Sequence, residues 1–321
     1  MQFGKLERRF FLLGAIAAFI PPANILFAAG YRTANFVVEA PSQQLAQKIG
    51  DAAEQYRHDL AIEWIGQPLP RWSQPCPITA EVAPTLGAGG ATSFVFDRGE
   101  VFNWTMSIQG SEERILDSVL PHEVTHTIFA SHFRQPLPRW ADEGACTTVE
   151  HPVERARQHR LLIEFLRTGR GISFPEMFAM KEYPADVLPL YSQGYSLARY
   201  LIERGGRKRY IQFVGDGLAS SDWPQSLSQY YGIHDIGKLQ TVWLEWVKRG
   251  CPAPPASVAA AIPQVQDITR TTRGERADRE SFDVFLTILS RGHRWHRLRL
   301  SIIVTSLVGT RACAVRACVR A

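Results

Sequence analysis

His122-Glu123-Val124-Thr125-His126, inside the run 115–132, is the stretch around which the rest of the chain is organised. On an α-helix, residues four apart share a face, so both imidazoles can reach one metal ion. Glu123, next to His122, falls at the edge of that face, where its carboxylate can hold a water beside the metal. A surface helix with two unrelated histidines would carry the same five residues. The residues downstream argue for the metal.

A catalytic metal site takes three protein ligands and keeps one position open. Two residues compete to be the third. His132 lies six residues after His126, as in the metzincin pattern H-E-x-x-H-x-x-G-x-x-H, but that pattern turns the chain on a glycine at position 129. Here Phe129 stands there, a bulky residue ill-suited to positive φ. If the helix runs on, His132 lies about 240° around from His126. The other candidate is Glu143, in Pro138-Arg139-Trp140-Ala141-Asp142-Glu143-Gly144-Ala145. Gln135-Pro136-Leu137-Pro138 ends the first helix, because proline cannot continue one. Trp140 then anchors a second helix, with Asp142 and Glu143 near the end that favours negative charge. Asp142 is the local rival of Glu143. One residue is 100° of helix rotation, so only one of the two faces the metal.

The W-x-x-E-G motif of Trp140–Gly144 after H-E-x-x-H resembles the gluzincins, the zinc metallopeptidases of the peptidase-MA-like group related to the aminopeptidase N family. The resemblance implies Zn²⁺ as cofactor, His122, His126 and Glu143 as its ligands, and Glu123 as catalytic base. It also covers Tyr191-Ser192-Gln193-Gly194, which is similar to the family's Y-x-x-G segment. That similarity implies a catalytic role for Tyr191, donating a hydrogen bond to the developing oxyanion. Tyr195, four residues on, is the alternative, and both could equally be the packed face of a helix. The G-x-M-E-N segment with which aminopeptidases capture a free amine is missing. Gly87-Ala88-Gly89-Gly90-Ala91-Thr92 stands there instead, so aminopeptidase specificity is not implied.

With 321 residues and 45% hydrophobic content, the chain can bury a full core. Residues 1–30 have a signal-peptide layout, with Lys5, Arg8 and Arg9, then apolar Phe10–Ile20, then small Ala28-Ala29-Gly30. Arg8-Arg9-Phe10-Phe11-Leu12 resembles a twin-arginine export signal. An uncleaved anchor is the alternative. Export to a periplasm, cell envelope or medium, most naturally bacterial, is therefore expected.

Asn35–Val38, Ile78-Thr79, Ser93–Phe96 and Glu100–Ile108 read as strands, and Gly87–Gly90 as a flexible loop without the Lys-Ser/Thr ending of a phosphate loop. Phe102–Ile108 is expected to form the cleft edge to which an extended peptide adds as another strand. Pro41–Ile65 reads as an amphipathic helix with Leu45, Ile49, Ala53, Tyr56, Leu60 and Trp64 inward and Arg57 and His58 outward. Ser111 caps the helix before the motif, and Pro121 forces a kink or a fresh start at Leu120. Beyond Glu143 the chain turns helical, over 152–167, 191–204, 207–214, 223–231 and 236–248, with Gly205-Gly206, Gly215–Gly217 and Gly232 as stops. His151, His159 and His234 read as surface or loop residues. Cys146 reads as a small buried residue, and a Cys76–Cys251 bridge is open in an exported protein.

Past residue 252 a Pro- and Ala-rich linker leads into an Arg-rich tail. From 251 to the end, eleven arginines, no lysine and five acids carry +6, which leaves −1 of the whole-chain +5 for the rest. The body is near neutral, so nucleic-acid binding is not expected of it.

These readings give an α+β, zincin-like fold over residues 31–252: a mixed β-sheet lobe bearing the H-E-x-x-H helix, then an α-helical lobe. The expected activity is hydrolysis of peptide bonds, with a peptide or protein as partner and no membrane contact beyond an uncleaved leader. A silent peptide-binding envelope protein on the same scaffold and a zinc hydrolase of a non-peptide bond are the alternatives.

Overall fold

Alternation of apolar and polar residues turns the first half of the chain into a sheet. In the computed structural model, which describes residues 29–253 and the backbone of Ser301–Ser306, strand β1 (Ala29–Arg32) runs antiparallel to β2 (Phe36–Ala40). Helix α1 (Gln43–Ile65) crosses over to β3 (Cys76–Val82), parallel to β2. β4 (Gly89–Asp97) and β5 (Glu100–Gly110) form a hairpin. Its two-residue turn is Arg98 and Gly99, both at positive φ, the twist a short hairpin needs. The order is β1-β2-β3-β5-β4-β6, with the backbone of β6 (Ser301–Ser306) antiparallel along β4.

This order corrects two expectations. β5 pairs with β3 through Met106–Gly110 and with β4 on its other side, so residues 106–108 of the expected cleft edge form an inner segment, while residues 102–105 have no partner on the β3 side among the described residues. Gly89 and Gly90 belong to β4 and are not a loop. Gly90 lies close against α3, where a Cβ would fall 2.6 Å from Glu123 Oε1.

α1 starts on the Ser42 side chain, which accepts from the Leu45 amide, and ends at Gly66 in the left-handed region. Ile49, Ala53, Leu60 and Trp64 are buried, and Leu45 and Tyr56 are partly buried. Arg57 is also buried, contrary to its expected outward position. Its guanidinium donates to the Pro70 carbonyl at 2.6 Å and lies over the Trp72 ring at 4.2 Å, and burial pulls its pKa down to about 10. A long arginine can reach such acceptors from a helix face that periodicity alone assigns to solvent.

Ser111 caps α2 (Glu112–Arg114), accepting from the Arg114 amide. A π-helical turn (Ile115–Val119) follows, then α3 (Leu120–Phe133). Pro121 lies in the first turn of α3, and the Leu116 carbonyl, five residues before it, accepts from the Tyr56 hydroxyl at 2.8 Å. The wider π turn absorbs the change of path without a break, and such turns recur at functional sites. α3 ends at Arg134 with φ 53°, and α4 (Arg139–Thr147) begins after Pro138. Phe129 is helical and buried edge-on against Trp64 (5.1 Å), so the chain does not turn there, and His132 is left exposed.

The helical lobe comprises α5 (Pro152–Arg167), α6 (Phe174–Ala179), α7 (Leu188–Ser220), α8 (Trp223–Tyr231) and α9 (Ile236–Lys248). α7 is kinked at Gly206 (φ 78°, ψ 168°) but runs on through Gly215–Gly217, where a stop was expected. The Trp223 ring fills the space beside Gly217: a Cβ there would lie 2.2 Å from it. Trp140 stacks on Phe178 (4.4 Å) and packs against Trp223, as its anchoring role requires. Cys76 and Cys251 are buried and free, not bridged: one starts an inner strand and the other follows α9. No helix among the described residues is long and apolar enough to cross a membrane. The leader up to residue 28, and the linker and tail apart from β6, lie outside the described residues.

α4 and α7 touch backbone to backbone at Gly144 and Gly194, the glycines of the W-x-x-E-G and Y-x-x-G motifs. A Cβ on Gly144 would meet the Gly194 carbonyl oxygen at 2.3 Å, and one on Gly194 the Trp140 carbonyl oxygen at 2.9 Å. Gly144→Ala must therefore push the helices apart and is expected to cost about 1–3 kcal/mol or more in urea unfolding. An alanine variant as stable as the wild type would mean the crossing is not tight.

Candidate metal centre

α3 turns His122, Glu123 and His126 toward β4 and α4, and all three are buried. The imidazoles lie 4.9 Å apart, centroid to centroid. Each Nδ1 is engaged from behind by a carboxylate: His122 with Glu150 Oε1 at 2.6 Å, and His126 with Asp142 Oδ1 at 2.9 Å. That leaves each Nε2 forward and without a hydrogen-bond partner. Carboxylates behind metal-ligating histidines fix the tautomer that offers the other nitrogen.

Glu143 comes from α4 to meet them. Its Oε2 is 3.5 Å from His122 Nε2 and 3.7 Å from His126 Nε2, and it too has no hydrogen-bond partner. These separations are longer than good N–H···O bonds. They are close to the ~3.4 Å between neighbouring ligands of a tetrahedral ion with bonds of about 2.0–2.1 Å. Three orphaned, buried donor atoms with that spacing fit a metal ion. Buried charge points the same way. Glu123, Asp142, Glu143 and Glu150 are all at most 5% exposed, and a divalent cation offsets a cost the two imidazoles cannot meet alone.

A second ligand set shares the same imidazoles. Donor atoms of His122, His126 and Cys146 lie within 4.8 Å of one another, and this buried group could hold a metal ion. Cys146 Sγ lies 3.3 Å from His126 Nδ1, the nitrogen bonded to Asp142. The thiol is thus behind that ring, and burial raises its pKa well above the ordinary value.

Glu123 is placed by β4. Thr92 donates to its Oε2 at 2.7 Å, while Oε1 has no partner. Gly90 makes room for it, since a Cβ there would fall 2.6 Å from Oε1. Burial raises the Glu123 pKa to about 7, against the opposing pull of both histidines and Thr92. A carboxylate near neutrality can take and return a proton.

Tyr191 is buried on α7, its ring parallel to that of Tyr183 at 6.4 Å. Burial raises its pKa well above 10, and Glu143 and Tyr183 reinforce the rise. It therefore sits beside Glu143. Tyr195, a turn further on, has Arg199, Arg155 and Glu203 as its charged neighbours and is not part of the centre.

Four contributors went unread in the sequence. Glu150 follows α4, Gly90 and Thr92 lie on β4, and Tyr183 lies between α6 and α7, with no spacing rule that links any of them to His122. Asp142 was read as a rival ligand and instead supports His126; the 100° step from Glu143 carried that information. A cavity of about 630 Å³ lies elsewhere, lined by Leu166, Gln193 and Trp243 among others. Its Gln193 is bonded at both ends of its amide to the backbone of Ile172, and the Gln240 carbonyl accepts from the Phe174 amide.

Burial lowers the pKa of His122 and of His126, but their carboxylate partners outweigh it and raise both. Glu123 and Glu150 are raised by burial. All four groups bind protons more tightly folded than unfolded, so stability must fall as pH rises through the window of their titration. Metal-free protein is thus expected to melt at lower temperature at about pH 8 than at about pH 5.5, with Glu123→Gln reducing the slope. A melting temperature that climbs over this range contradicts the assigned charges. No protein-family model matches the chain and no curated protein does either, which leaves side-chain geometry to indicate the chemistry.

Proposed function

We propose that the protein is an exported, zinc-dependent metallopeptidase of gluzincin type, with a zincin-like fold. The observation that carries this reading is the meeting of three unpartnered buried atoms, His122 Nε2, His126 Nε2 and Glu143 Oε2, with the buried Glu123, whose Oε1 is also unpartnered, next to His122 on the same helix. Glu143 is preferred to Cys146 because it faces both forward nitrogens, whereas the thiol lies against the occupied one.

Zn²⁺ held by these three residues would supply Lewis acidity, bringing the pKa of a water toward neutrality and polarising a peptide carbonyl. Glu123 accepts the proton of the attacking water and returns it to the leaving amine. Thr92 holds its other oxygen, so the free Oε1 is the one that moves the proton. Tyr191 is the candidate donor to the developing oxyanion, though its place beside Glu143 supports a share in ordering the ligand as well. The mixed sheet and helical lobe, and the basic, apolar, small-residue leader, agree with this reading.

Purified full-length protein is expected to bind zinc, measured by elemental analysis, and to degrade casein until a chelator is added. Glu123→Gln should keep the zinc and lose about 10²–10⁴-fold in rate. Degradation that persists under chelation rejects the mechanism. Zinc without turnover of any peptide, in wild type and variant alike, would point to a peptide-binding protein, and turnover of an ester or other bond to a different hydrolase.

A further inference from the structure

Each proposed ligand has a partner behind it: Glu150 behind His122, Asp142 behind His126, and Tyr183, with Tyr191 stacked beside it, behind Glu143. The geometry points to Tyr183 as the positioning residue that presents a single oxygen of Glu143 to the metal; this we propose on top of the metal-centre reading above. The Tyr183 hydroxyl donates to Glu143 Oε1 at 2.6 Å, leaving Oε2 as the oxygen that faces both imidazoles.

Tyr183 lies in the connection between α6 and α7, outside any helix or strand, and three contacts fix its ring. The Arg139 guanidinium lies over it at 4.4 Å, Tyr191 stacks beside it at 6.4 Å and 11°, and the hydroxyl holds Glu143. Arg139 opens the same helix that carries Glu143, so the contact ties the connecting segment to the ligand's own helix. A fully buried carboxylate with one oxygen unheld could rotate toward either imidazole. Held at Oε1, it keeps one orientation, and less ordering is left to be done when the ion enters.

Tyr183→Phe removes the hydroxyl and keeps the ring, its stack and its cation contact. Zinc affinity of the full-length protein, read by competition with a chromophoric chelator, is expected to fall about tenfold or more. The melting temperature of the metal-free variant should stay close to that of the wild type. In a Glu143→Ala background the same substitution should cause no further loss, because the group it positions is gone. Zinc binding by the wild type with equal affinity in Tyr183→Phe overturns the role of Tyr183 and leaves the metal centre standing. An equal loss in both backgrounds also overturns it, as an effect not routed through Glu143. Wild-type protein that binds no zinc overturns both.

Discussion

Four carboxylates and two imidazoles lie buried together between α3, α4 and β4, and this concentration of buried ionisable groups is the constraint on which the rest of the molecule turns. Isolated, each ionised group would cost several kcal/mol to desolvate. The structure offsets part of that by pairing: Glu150 with His122, Asp142 with His126, Thr92 with Glu123, and Tyr183 with Glu143. Five buried atoms of these groups remain without a hydrogen-bond partner: His122 Nε2, His126 Nε2, Glu143 Oε2, Glu123 Oε1 and Glu150 Oε2; Glu143 Oε2 lies 3.5 and 3.7 Å from the two nitrogens. Without a cation the cluster can relieve itself only by holding protons, and the raised pKa values of Glu123, Glu150 and both histidines express that.

Two backbone arrangements bring these side chains within reach. The π turn before Pro121 lets one continuous helical path enter the site and still carry a proline one residue ahead of His122. The crossing at Gly144 and Gly194 brings α4 and α7 closer than any side chain would permit. Glu143 precedes the first of these glycines by one residue and Tyr191 precedes the second by three. The same contact therefore sets Glu143 against Tyr191. Each motif glycine serves as the space into which the other helix fits.

Trp140 and its ring partners fix α4 from the far side, with Phe178, Trp223 and Phe213 around the indole. Rigid aromatic packing behind α4 limits the drift of Glu143, as the proposed metal centre would require. β4 does the corresponding work for Glu123. The strand supplies a hydroxyl at Thr92 and a vacancy at Gly90, two residues apart and so on one face of the strand.

The five residues of the motif, the proline-rich stop after α3 and the W-x-x-E-G helix were legible because each rests on local spacing. A four-residue step on a helix, a proline and a cap mean much the same in any surroundings. The bounds of α5, α8 and α9 and the cap at Ser111 were readable for that reason too. Arg57, the continuation of α7 through two glycines, and the inner position of residues 106–108 in β5 were not. Each depends on what a distant segment brings: backbone carbonyls at residues 69 and 70, the Trp223 ring, or β4 folding outside β5. The sequence by itself determined which residues could ligate and act as base. Only the tertiary structure decided which oxygen and which nitrogens face one another, because their partners lie up to 40 residues away and no local rule carries a direction across that distance.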